Sequence, residues 1–224
     1  MTEAAGQLPL SLPAASRHAM GREDFIASPA NAEALALVER WRDWPRPRLA
    51  ICGPAGAGKT HLAHVFAASS GAEIVAAARL AEADAPRLVA RGALAVEDAD
   101  RLPQAAEPAL FHLVNLAEAH GAPLLLTGRE PPARWPTRLA DLVSRLSATT
   151  AARLHPPDDA LLEAVLAKGF DDRRLLVEPG LPAFLAARIE RSFAAAAEIV
   201  ARLDAASLAA RRPITRRLAA ELIG

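Results

Sequence analysis

The octapeptide Gly53-Pro54-Ala55-Gly56-Ala57-Gly58-Lys59-Thr60 constrains this chain more than any other stretch. It follows an apolar run, residues 49–52, and opens a helical pattern at Lys59. Glycines in such a loop let successive backbone N–H groups turn inward around a phosphate, and the positive end of the following helix adds to them. Lys59 is then placed to reach β- and γ-phosphates, and the Thr60 hydroxyl to ligate Mg2+. Of 26 basic side chains only Lys59 and Lys168 are lysines, so a chain that seldom uses lysine spends one of two here.

The surrounding pattern is that of an α/β protein. Short apolar runs at 49–52, 93–96 and 124–127, with fainter ones at 73–76 and 149–154, alternate with helical segments at 31–44, 59–68, 79–90, 107–120 and 137–145. Strands of this kind separated by crossovers form a parallel sheet covered by helices on both faces. Ser28-Pro29 is expected to cap and open the first helix. Beyond His155-Pro156-Pro157 only helical patterns remain, at 158–168, 182–191, 192–210 and 215–223. The expected layout is a tail at 1–22, an α/β nucleotide-binding domain at 23–156 and a small all-helical domain at 157–224.

Cys52, the one cysteine, can form no internal bridge and is expected as a small buried hydrophobe, which suits a reducing compartment. There is no early basic cluster and no apolar stretch near the roughly 18 residues a membrane span needs, so a cytoplasmic protein that leaves membranes alone is expected. The 26 basic and 26 acidic side chains cancel, which argues against a protein that holds nucleic acid mainly through a basic field. The six histidines show no metal-ligand spacing.

A phosphate loop calls for carboxylates at the end of a neighbouring strand, and Leu94-Ala95-Val96-Glu97-Asp98 offers two. Either Glu97 serves Mg2+ and Asp98 orients the attacking water, or Asp98 serves the metal and Ala99 leaves the water unattended. Thr127 ends its strand in a hydroxyl where a polar group could sense the γ-phosphate. Arg145, taken alone, reads as a surface salt-bridge residue.

Together these residues give the chain a resemblance to the DnaA/Hda family of AAA+ proteins over nearly its whole length. Gly58-Lys59-Thr60-His61-Leu62 resembles that family's phosphate loop, and Leu126-Thr127-Gly128-Arg129-Glu130-Pro131-Pro132 its sensor strand and turn. Ser144-Arg145-Leu146 is similar to the motif carrying its arginine finger, and the helices beyond His155 to its lid. Asp24-Phe25-Ile26 is similar to its adenine-side segment, which implies Phe25 and Ile26 near the base. With the last helical pattern ending near residue 223, no helix-turn-helix domain is expected. Gln7-Leu8-Pro9-Leu10-Ser11-Leu12 resembles a clamp-docking peptide, with Gln7, Leu8, Leu10 and Leu12 as anchors. The resemblance implies a negative regulator of replication initiation. With the DNA-loaded sliding clamp it would stimulate hydrolysis of DnaA-bound ATP, Arg145 acting in trans. It further implies bound ADP or ATP with Mg2+, DNA met indirectly through the clamp, and room for homo-oligomers. Two departures count against turnover by the chain itself: the Glu97-Asp98 order, and the lack of arginine in 192–201, where Ala194 or Ala195 falls at the usual lid-arginine position. The rival readings are a helicase-loader type ATPase, a small-molecule kinase and a degenerate adaptor. The first would need single-stranded DNA contacts, for which no basic and aromatic interleaving is seen.

Overall fold

The computed structural model describes residues 20–80 and 85–223. Strands β1 (Arg48–Cys52), β2 (Glu73–Ala76), β3 (Leu94–Glu97), β4 (Leu124–Gly128) and β5 (Thr150–Arg153) form one sheet in the order β2-β3-β4-β1-β5, with every pairing parallel. Side chains alternate between faces along each strand, and both faces are apolar because both are covered. Leu49, Ile51, Ala95 and Leu125 pack with α1 (Ala32–Glu39) and α2 (Lys59–Ser70), through Val38, Leu62 and Phe66. Ala50, Leu94, Val96, Leu124 and Leu126 turn the other way, onto α3 (Ala85–Val89), α4 (Glu107–His120) and α5 (Ala140–Ser147). A third core, centred on Leu162, Leu166, Phe170, Leu185 and Leu203, joins α6 (Asp159–Asp172), α7 (Leu181–Ala186), α8 (Phe193–Ala210) and α9 (Arg216–Ile223). The expected parallel sheet with an all-helical lid is therefore what the chain forms. Cys52 is buried and free, its thiol donating to the Ala152 carbonyl at 3.3 Å.

Several helix limits differ from those expected, each for a local reason. The helix expected over 31–44 ends at Glu39 and is followed by a 3-10 turn, Trp41–Asp43. The Trp44 indole N–H donates to the Leu37 carbonyl at 2.8 Å, and Pro45 disfavours helical backbone at Trp44. Ser28-Pro29 does not cap α1 but forms the turn before it. Buried Asn31 fixes that turn, accepting from the Ser28 N–H at 2.9 Å and donating to the Ile26 carbonyl at 3.0 Å. Among the described residues of 79–90 the helix is α3, with a 3-10 turn at Ala77–Arg79 before it, and Pro86 sits in the first turn of α3, where a helix tolerates proline. Near Thr137 no helix begins until Ala140, since buried Glu107 accepts the N–H groups of Arg138 and Leu139 at 3.0 and 2.7 Å. The segment 182–191 is helical only to Ala186. It then turns so that Ser192, accepting the Ala195 N–H at 3.1 Å, caps α8.

Candidate functional site

The phosphate loop leaves β1 at the C-terminal edge of the sheet, where parallel α/β sheets hold their ligands. Gly53 donates its N–H to the Gly128 carbonyl at 3.2 Å, so the loop departs directly beside the end of β4. Gly56 and Gly58 have φ of +70° and +98°, a region L side chains rarely adopt. Space demands glycine as well. A Cβ on Gly56 would lie 2.7 Å from the Ser192 Cβ, and one on Gly58 3.2 Å from the Phe193 ring. The Phe193 N–H donates to the Gly56 carbonyl at 2.9 Å, so the start of α8 rests on the loop.

Between the loop, the Met20–Ile26 stretch and helices α6 and α8 lies a cleft of about 1070 Å³. Ala55, Gly56, Gly58, Lys59, Thr60 and His61 reach it from the loop and the start of α2, Phe25 and Ile26 from the stretch before α1, and Asp98 from the end of β3. Gly53, Pro54 and Ala57 build the loop without lining the cleft. Lys59 Nζ donates to the Gly53 and Pro54 carbonyls, each at 2.8 Å. Burial holds its ammonium below the usual lysine range, against the pull of Asp98 and Asp100. His61 Nε2 is 2.9 Å from the Gly21 carbonyl oxygen, so that nitrogen carries the proton, and the ring meets Phe25 edge-on at 5.1 Å. Burial lowers its pKa.

The two carboxylates expected beside the loop are placed differently. Glu97 is the half-buried last residue of β3 and does not line the cleft; Asp98 is exposed, lines it, and takes a left-handed φ of 52°. Buried Thr127, expected as a γ-phosphate sensor, does not line the cleft: its hydroxyl accepts the Asp98 N–H at 3.1 Å and so ties the end of β4 to the end of β3. Among the described residues no group of three or more His, Cys, Asp or Glu could hold a metal. Mg2+ would suit Thr60 and one carboxylate with phosphate oxygens, since it binds through few protein ligands. The cradle of glycines and the desolvated lysine fit a phosphate group, and Phe25 and Ile26 give the same cleft an apolar stretch.

Arg145 stands elsewhere, exposed on α5 and outside the cleft. Its Nη1 lies 3.1 Å from Glu118 Oε2, an oxygen that also accepts Arg48 Nη1 at 2.9 Å. The hydrogen bond from Arg48 is the chief reason the Glu118 carboxyl is held below its usual range, with the charges of Arg48, Arg145 and Arg46 adding to it. Arg48 is buried, and its Nε and Nη2 find no partner among the described residues. Glu118→Ala would strand that guanidinium. It is expected to cost roughly 3 kcal/mol in urea unfolding at neutral pH, the low end for a broken buried pair because Glu118 is partly exposed.

Sequence reasoning missed Asp24 and Lys168 as cleft residues. Lys168 Nζ on α6 pairs with Asp24 Oδ1 at 2.9 Å and with Asp172 at 3.0 Å, fastening the lid to the segment that carries Phe25. The signal available was the scarcity of lysine. Hydrogen bonding to Lys168 lowers the Asp24 pKa, and bonding to Asp24 raises that of Lys168. The clasp is thus fully present above the ordinary carboxylate range and is lost as pH falls through the depressed Asp24 value. At the alkaline end it persists beyond the ordinary lysine value. At neutral pH, Asp24→Asn is expected to speed amide exchange in α6 about fivefold, or about 1 kcal/mol of local opening. Wild type should match it only in strong acid. Gln7, Leu8, Leu10 and Leu12 lie outside the described residues.

No family model matches the sequence. The structure is similar to domain III of the Thermotoga maritima replication initiation protein DnaA, with a TM-score of 0.78 and 17% identity over 89% of this chain and 93% of that one. It is also similar to the Thermotoga maritima RuvB Holliday junction branch migration motor, with a TM-score of 0.72 and 17% identity over 91% of this chain and 71% of that one. AMPPCP-bound DnaA from Aquifex aeolicus matches with a TM-score of 0.67 and 17% identity over 81% of this chain, which spans 64% of that longer protein. No helix among the described residues is long and apolar enough to cross a membrane. The fold is that of an AAA+ P-loop module with its helical lid.

Proposed function

We propose that this chain is an AAA+ regulator that binds ADP or ATP with Mg2+ in its own cleft and presents Arg145 to the nucleotide site of a neighbouring AAA+ protein. The neighbour is DnaA, and the outcome is hydrolysis of DnaA-bound ATP under the control of the DNA-loaded sliding clamp. The observation that carries this reading is the position of Arg145. It is an exposed guanidinium outside the chain's own cleft, and its one side-chain partner among the described residues is the shared carboxylate of Glu118. A surface pair of this kind is worth little, so Arg145 is free to leave it for a phosphate. Lys59, Thr60 and Asp98 hold the chain's own nucleotide and Mg2+, with Glu97 behind them and Thr127 fixing the Asp98 backbone. Phe25, Ile26 and His61 form the base side. The tail residues Gln7, Leu8, Leu10 and Leu12 are the clamp anchors, a weak site strengthened by the several grooves a ring offers.

The test is a single-turnover assay of ATP pre-bound to DnaA, with clamp loaded on DNA. Wild type should speed loss of the γ-phosphate, whereas Arg145→Ala and the double variant Gln7→Ala/Leu8→Ala should not. If wild type leaves that ATP untouched, a helicase-loader or adaptor role replaces this one.

A further inference from the structure

A nucleoside triphosphate brings more negative charge than one lysine and one divalent ion offset, and the cations that lid helix α6 and its C-cap set at the cleft, Lys168 and Arg173, are already paired with Asp24 and Asp172 and with Asp204. The wall that α8 gives the cleft is Phe193, Ala194, Ala196, Ala197, Val200 and Ala201, with Glu198 its only charged side chain. Further cationic groups, Arg101 and Arg129, come from the sheet side. Arg129 follows Gly128, the residue paired with Cys52 and bonded to the first N–H of the phosphate loop, so it leaves the sheet directly beside that loop. Asp100 Oδ2 accepts the Arg129 backbone N–H at 2.8 Å, which fixes where the side chain starts.

The Arg129 side chain lines the cleft with Lys59, and its charge bears on the Lys59 ammonium. Its guanidinium has no hydrogen-bond or ion-pair partner among the described residues. On the same turn Arg134, outside the cleft, pairs with Glu130 at 3.5 Å. An arginine set beside a like-charged lysine, with no carboxylate of its own, is poorly placed until an anion arrives. Its planar fork suits phosphate oxygens in particular.

We propose that Arg129 is a second phosphate-binding group acting in cis, which contacts the terminal phosphate of a bound nucleoside triphosphate and makes the cleft prefer the triphosphate to the diphosphate. This rests on the nucleotide-binding reading above and decides between its two nucleotides. Arg101, which also lines the cleft, is the rival for the same role.

Calorimetric titration of the full chain with Mg-ADP, and with Mg2+ and a non-hydrolysable ATP analogue, tests the assignment. Arg129→Ala should lower affinity for the triphosphate analogue about tenfold or more and that for ADP less than about threefold. Arg129→Lys should recover part of the loss, and Arg134→Ala should leave both affinities unchanged. All three variants should melt like wild type without nucleotide. Equal losses for the two ligands in Arg129→Ala, or none, would overturn the assignment while leaving nucleotide binding intact. So would a loss of triphosphate preference in Arg101→Ala alone. If wild type binds neither nucleotide, the underlying reading falls and this assignment falls with it.

Discussion

Arg145→Ala is expected to abolish the chain's effect on a partner's nucleotide, lowering the stimulated hydrolysis rate by about 10³-fold or more. Charge developing on a transferring phosphoryl group is stabilised by a guanidinium that reaches two oxygens at once. Arg145→Lys keeps the charge without the fork and should recover little. The side chain is 44% exposed and its one polar partner among the described residues is Glu118, so its removal should leave melting and the chain's own nucleotide affinity within error of wild type. Removal of Glu118 behaves differently, because Arg48 depends on it. The contrast separates an arginine that acts outward from one that merely holds the fold. An Arg145→Ala chain that stimulates as well as wild type would sink the trans mechanism, and one that unfolds would assign Arg145 to structure.

Much of this architecture was legible in the sequence because its determinants are local. The apolar run, glycine loop and helix at residues 49–70 each follow from neighbours a few positions apart, and α4 lies where its pattern ends at Gly121, whose left-handed φ closes the helix. At 31–44 and 182–191 periodicity outlasts the helix, where Trp44 and the turn into Ser192 decide the end, whereas Pro86 bears on where α3 starts. The order of the strands could not be read from pattern alone, because which runs pair depends on contacts far apart in sequence. The same holds for the ties that build the site. Asp24 meets Lys168, Arg48 meets Glu118, and Asp98 meets Thr127 only once the sheet and lid are assembled. The sequence identified Glu97-Asp98 as a pair of carboxylates, but only the left-handed turn at Asp98 determines which of them looks into the cleft. Arg129 sits inside the motif at residues 126–132, but nothing in the linear sequence says whether an arginine has a partner.

Lys59→Ala is expected to lower the chain's own nucleotide affinity by roughly 10²–10⁴-fold, the loss of two charge-assisted contacts of about 1.5–3 kcal/mol each. In the structure two of the ammonium's donors are spent on the Gly53 and Pro54 carbonyls, with a third left over. Burial disfavours the charged form there, so Lys59 is held at a cost that a phosphate would relieve. The variant should therefore fold at least as well as wild type without nucleotide. The sign of its pH dependence follows from the lowered pKa: the cost of charge is full below that value and fades as pH rises through it. Wild type should accordingly gain stability relative to Lys59→Ala on going alkaline. Fluorescent-nucleotide titration and thermal melts, run across pH on both proteins, measure the two effects separately. Wild-type affinity in Lys59→Ala would move the phosphates away from this loop. Lost affinity together with a lowered melting temperature would instead make Lys59 a structural strut of the loop.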